Sequence, residues 1–116
     1  MKSKALFRII AISFLAFCMS CEKKADLIAL HFNETGCANP WTQTENGFSN
    51  NDPDYQNKVK TFLESRDIEI KAISLSSDGP LSGCFSCGCS TGRRINITTL
   101  TADKSHAIEL GFYEGN

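Results

Sequence analysis

The feature that most constrains this chain is a nine-residue run, Cys84 to Gly92 (CFSCGCSTG), which holds three of its six cysteines at C-x-x-C-x-C spacing. Glycine and serine separate the sulfurs, so the run suits neither a helix interior nor a packed strand. It reads as the heart of a loop from Ser76 to Arg94, with a strand on either side. A fourth cysteine, Cys37, follows Thr35-Gly36. Any fold open to this chain must put Cys37 either beside the triplet or at the far end of the sheet, and that choice decides the chemistry.

Cys18 and Cys21 belong to a different kind of segment. Lys2, Lys4 and Arg8 precede an uncharged run, Ile9 to Met19, and charge returns at Glu22-Lys23-Lys24. Eleven residues fall short of the about 20 that cross a hydrocarbon core, but match the apolar region of an export signal. The stretch Leu15-Ala16-Phe17-Cys18-Met19-Ser20-Cys21 resembles the end of a bacterial lipoprotein signal, with Cys18 where that class usually has an aliphatic residue. The resemblance implies cleavage after Ser20, acylation of Cys21 and a membrane as partner. Anchoring of this kind gains ~0.8 kcal/mol per buried methylene. The address is then the cell envelope, the outer membrane ahead of the inner where there are two. The alternative is plain secretion, with Cys21 an ordinary domain cysteine.

The expected organisation is a signal peptide over 1–20, an anchor and short tether over 21–25, and one cysteine-bearing domain over 26–116. Of the chain's 12 basic and 13 acidic side chains, three basic ones fall in the first 20 residues, leaving 9 against 13 and a net charge of −4. Such a surface is mildly repelled by phosphate backbones, which excludes nucleic acid from the expected partners.

Within the domain, Asp26–Phe32 reads as a mostly buried strand and Asn33–Asp52 as a long Asn/Thr/Gly/Ser loop, either mobile or functional. Asp52-Pro53 should start a helix, with Asp52 as cap. Tyr55, Val59, Phe62 and Leu63 form its apolar face, and it should end near Ser65 or Arg66. Ile68–Leu75 is the second strand. A switch of parity there predicts a bulge near Ala72-Ile73. Arg94–Leu100 is the third strand. Thr101 should cap a last helix over Ala102–Leu110, with Gly111 as left-handed terminator and Phe112 folding back. The order β-α-β-β-α predicts an α+β two-layer sandwich: a three-stranded mixed sheet with both helices on one face. This is the ferredoxin-like pattern without a clear fourth strand, although Phe112-Tyr113-Glu114 could supply a very short one.

Three chemistries suit Cys37, Cys84, Cys87 and Cys89. An even cysteine count in a small exported domain points first to two disulfides. Cys84–Cys89 with Cys37–Cys87, and Cys84–Cys87 with Cys37–Cys89, are both open; a Cys87–Cys89 bond across one glycine is strained. The second reading is a thiolate site for zinc or copper, using all four sulfurs. Small copper-handling domains of ferredoxin-like fold offer a limited resemblance, since their C-x-x-C pair is absent at Cys37. His31 and His106 could add nitrogen, but suit a strand alternation and a helix surface. The third is thiol–disulfide exchange by Cys84-x-x-Cys87, for which no helix start or thioredoxin-like order is present. No catalytic residue is nominated. Gly88–Arg94 could meet an anion but reads first as a turn entering a strand with solvated charges, Asn50–Asp54 lacks the spaced ligands of a calcium loop, and Trp41 should cover the cysteine loop. The expected role is a disulfide-stapled binding or accessory module without a cofactor, presenting its 33–52 and 84–94 loops to a protein or small ligand.

Overall fold

The computed structural model describes residues 25–115; the expected signal and Cys21 lie outside the described residues. Strand β1 (Leu27–Thr35) is followed by a loop, helix α1 (Tyr55–Ser65) and strand β2 (Ile70–Ser76). The cysteine loop leads into strand β3 (Ser90–Leu100), a 3-10 turn (Thr101–Asp103) and helix α2 (Lys104–Glu109). The sheet order is β1-β3-β2, and β3 is antiparallel to both neighbours. The α+β sandwich in β-α-β-β-α order is therefore as expected, with one correction. The sheet is wholly antiparallel rather than mixed, because β3 inserts between the two like-directed strands and separates them.

Alternation along β1 turns Leu30 and Phe32 to one face, and alternation along β3 turns Ile95, Ile97 and Thr99 to the same face. The Tyr55, Val59 and Leu63 stripe of α1 closes over them, joined by Ile68, Ile70, Ala107 and Phe112. Burying each large aliphatic side chain contributes roughly 1.5–3 kcal/mol. Thr99 is the polar member of this layer, and its hydroxyl donates to the Glu69 carbonyl at 2.6 Å. That carbonyl lies beside the bulge in β2, where Ile70 faces Thr99 and Ala72 already faces Thr98. The bulge is thus present, slightly earlier than its expected position.

Both α-helices end in the same way. Asp67 N–H bonds Glu64 O and Ile68 N–H bonds Leu63 O; Gly111 N–H bonds Ile108 O and Phe112 N–H bonds Ala107 O. These are paired Schellman closures, with the left-handed residue Asp67 (φ 62°) in one and Gly111 (φ 104°) in the other. The helix starts differ from expectation. Asp52 accepts from Asp54 N–H at 2.9 Å in a turn ahead of α1, which begins at Tyr55. Thr101 opens a 3-10 turn rather than capping α2, and Asp103 spends its carboxylate on Glu69 N–H at 3.0 Å. Tyr113 exchanges both backbone bonds with His31, so the short fourth strand exists as a single bridge on the outer edge of β1. Among the described residues, no helix is long and apolar enough to cross a membrane.

Candidate functional site at the cysteine end of the sheet

The antiparallel pairing of β1 with β3 settles where Cys37 lies. Thr35, at the end of β1, faces Ser90, at the start of β3. The segments that extend beyond them, Gly36-Cys37 and Cys84–Cys89, therefore meet at one end of the sheet. Gly36 N–H donates to Cys89 O at 3.0 Å, and Cys37 and Ala38 N–H both donate to Cys87 O, at 3.1 and 3.2 Å. Against this backbone, Cys37 bonds Cys87 and Cys84 bonds Cys89, with Cα separations of 4.6 and 5.9 Å. Both fall in the span a disulfide accepts. Of the two pairings the spacing left open, the fold makes this one. The Cys84-x-x-Cys87 unit is consequently split between two bonds, which corrects the reading of it as a redox pair.

The two bonds differ in what they close. Cys37–Cys87 spans 50 residues and Cys84–Cys89 spans 5. On the chain-entropy model these stabilise by about 4 and about 2 kcal/mol. Cys37, Cys84 and Cys87 are exposed, while Cys89 is buried. Ser86 Oγ lies 3.0 Å from Cys89 Sγ; a disulfide sulfur carries no hydrogen, so the hydroxyl donates.

Behind the sulfurs sits a charge network that the sequence reading missed. Glu34 continues the inward parity of Leu30 and Phe32 and is 1% exposed. Opposite it, β3 bulges: Asn33 faces Arg94 and Thr35 faces Ser90, so Thr91, Gly92 and Arg93 oppose Glu34. Gly92 supplies the left-handed conformation this bulge requires (φ 87°). Thr91 and Arg93 thereby converge on one carboxylate. Arg93 donates Nε and Nη2 to Glu34 Oε2 at 2.8 and 2.6 Å, and Thr91 Oγ1 donates to Oε1 at 2.9 Å. The Asn50 side-chain amide donates to Oε1 at 3.2 Å, and the Asn50 backbone carbonyl accepts from Arg93 Nη2 at 2.9 Å. The guanidinium also lies 4.8 Å from the Tyr55 ring centre. Burial, and then the Glu34 carboxylate, push the Tyr55 hydroxyl well above its ordinary pKa. The available signal was parity alone: a glutamate two residues beyond Phe32 on the buried face.

This network corrects two further expectations. Trp41 is fully buried in the core, packed on Phe32, Tyr55 and Phe62, and donates its indole N–H to Tyr55 Oη at 3.1 Å. It covers the apolar layer, not the cysteine loop. The 33–52 segment is thus pinned at Trp41, at Asn50 and at the buried Asn39, whose side chain accepts from Thr35 N–H at 2.9 Å and donates to Thr35 O at 3.0 Å. Arg93 is neutralised by Glu34 and Arg94 lies 3.5 Å from Asp78, so the Gly88–Arg94 run presents no unpaired cation. His31 sits on the open polar face, 2.7 Å from Asn96 Oδ1, and His106 is exposed on α2. Among the described residues, no three His, Cys, Asp or Glu side chains form a group that could hold a metal ion.

The most exposed large apolar side chains among the described residues lie at the tip. Phe85 is fully exposed and Leu81 is 77% exposed. The 14 residues from Gly79 to Gly92 carry no charged side chain. The strap before the tip is held along β3 by Gly79 N–H to Gly92 O at 3.0 Å and Gly92 N–H to Pro80 O at 3.1 Å. A cavity of about 560 Å³ opens between Glu34, Asn50, Leu81 and Arg93, and a shallow groove of about 820 Å³ runs between Phe48 and Phe62 on the α1 side. Compared with protein-family models, curated proteins and solved structures, the chain matches none, so its site is read from its own geometry.

Proposed function

We propose that this chain is an envelope lipoprotein, anchored through lipid on Cys21, whose disulfide-stapled domain docks a protein partner on the Leu81–Phe85 tip. The observation that carries the reading is a disulfide-stapled, charge-free tip that exposes Leu81 and Phe85 at the end of the sheet opposite the tether. The tether enters β1 at Leu27, whereas the tip lies beyond Thr35. Nine strand residues at about 3.4 Å each separate the two by roughly 30 Å. An anchored domain therefore holds Phe85 away from its own membrane and toward the aqueous compartment. Large exposed aromatics on a preorganised loop lose little conformational freedom on docking, and depletion of charge marks the centre of protein interfaces.

Zinc or copper held by Cys37, Cys84, Cys87 and Cys89 is the competing reading, because all four cysteines gather at one place. It needs four thiolates where the fold pairs the sulfurs. Mass spectrometry of the exported chain separates the two. A denatured mass short by four hydrogens (two per disulfide) supports the stapled module; full thiol hydrogens with a native metal adduct would replace it. For the anchor, Cys21→Ser should move the protein from the membrane to the soluble fraction, and continued membrane retention refutes it. For the tip, a photo-crosslinking residue at Phe85 should give a discrete adduct in the host that is absent when placed at His106. Equal labelling at both positions removes the docking role.

A further inference from the structure

We propose that Cys84–Cys89 is an exchangeable disulfide that accepts electrons from a dithiol, while Cys37–Cys87 stays closed as the structural staple. The exchange needs neither the anchor nor a docked protein. Cys84 is exposed, as Cys37 and Cys87 are, so a thiolate can reach its sulfur from solvent. Two observations separate the bonds. Cys89 is the buried member, and the Ser86 hydroxyl already donates to its sulfur at 3.0 Å. The leaving sulfur is thus the one whose negative charge the loop stabilises. Finally, Cys37 and Cys87 are held face to face by backbone bonds from Cys37 and Ala38 to the Cys87 carbonyl. An opened Cys37–Cys87 bond would find its partner at once.

The chemistry balances as a two-electron transfer. A dithiol thiolate attacks Cys84 Sγ, a mixed disulfide forms there, and the Cys84–Cys89 bond breaks with its electron pair on Cys89. The second thiolate of the dithiol then attacks its own sulfur in the mixed disulfide and releases Cys84. The dithiol is oxidised to a disulfide, the chain is reduced to two thiols, and the protons shed by the dithiol end on Cys84 and Cys89. Ser86 is a positioning residue in this scheme, since it acts only through Cys89.

The test treats the exported chain, purified in air, with dithiothreitol in one arm and a reduced C-x-x-C peptide in the other. Alkylation and mass mapping follow. Cys84 and Cys89 should be labelled well before Cys37 and Cys87, with the mixed disulfide found on Cys84. Reaction in either arm supports the proposal and identifies whether a small or a peptide dithiol serves. Simultaneous opening of both bonds, earlier opening of Cys37–Cys87, or a mixed disulfide on Cys89 overturns it. Ser86→Ala should slow the first step about tenfold and move the pH dependence of Cys89 alkylation upward, and Ser86→Thr should restore both. An unchanged pH profile in Ser86→Ala overturns the role of the hydroxyl.

Discussion

At the end of the sheet where β1 begins, apolar packing and backbone closures hold the chain. Leu63, Ile68 and Ala107 are buried, and with Phe112 against Phe32 each is tied into one of the two helix terminations. At the end where β1 finishes, aliphatic side chains give way to two disulfides, a buried ion pair and a bulge. The first end rests mainly on hydrophobic periodicity and residues able to adopt left-handed φ, with a bulge in β2 tied by Thr99 and Asp103. The second needs groups far apart in sequence to arrive together. The comparison teaches that covalent and charged links appear where the chain turns outward and a core cannot follow, and that the exposed tip depends on them for its shape.

The largest effects should come from the cysteine end. Removing the long staple in Cys37→Ala/Cys87→Ala should lower unfolding free energy by about 4 kcal/mol in denaturant melts. Arg93→Ala leaves Glu34 buried without its cation and should cost about 3 kcal/mol, the lower side of the usual range because Arg93 is partly solvated. Joint replacement, Glu34→Leu/Arg93→Met, should recover most of that loss; if it does not, the pair specifies the bulge as well as neutralising itself. Removing the short ring in Cys84→Ala/Cys89→Ala should cost at most about 2 kcal/mol. A loss as large as that of the long staple would erase the distinction between the two bonds.

Smaller effects probe the other end. Asp67→Gly should stabilise by about 0.5–1 kcal/mol, because a left-handed position is unfavourable for a residue with a Cβ. The same logic in reverse makes Gly111→Ala destabilising, since its Cβ would also approach Phe32 Cε2 at 3.1 Å. The smallest effect is in acid. A hydrogen bond from Lys58 holds Asp52 below its ordinary value of 3.8, and one from Ser76 does so for Asp78. A lowered folded-state value means stability present above pH 3.8 that is lost as pH falls further. Asp52→Asn/Asp78→Asn should therefore flatten the acid limb of a stability–pH curve; an unaltered limb would show these two carboxylates to be uncoupled from folding.

Much of the architecture was legible because it is local. Tyr55, Val59 and Leu63 repeat at helical spacing, Ile95 and Ile97 alternate, and Gly111 followed by Phe112 carries its own termination signal. Strand ends were less legible. Asn33, Glu34, Thr35 and Ser90 to Arg93 have the composition of loops, and only their mutual pairing makes them strands. Trp41 looked like an isolated loop aromatic because nothing near it in the chain says that Phe32 and Tyr55 will enclose it.

Periodicity and turn chemistry, acting over a few residues, were enough to specify the element order, the apolar face and the candidate cysteines. Partner choice was not within their reach. Whether Cys37 meets Cys87 or Cys89, whether Glu34 finds Arg93, and whether the sheet is mixed all turn on β3 lying between β1 and β2. That insertion is a matter of loop closure and packing over some fifty residues, and adjacent residues do not encode it.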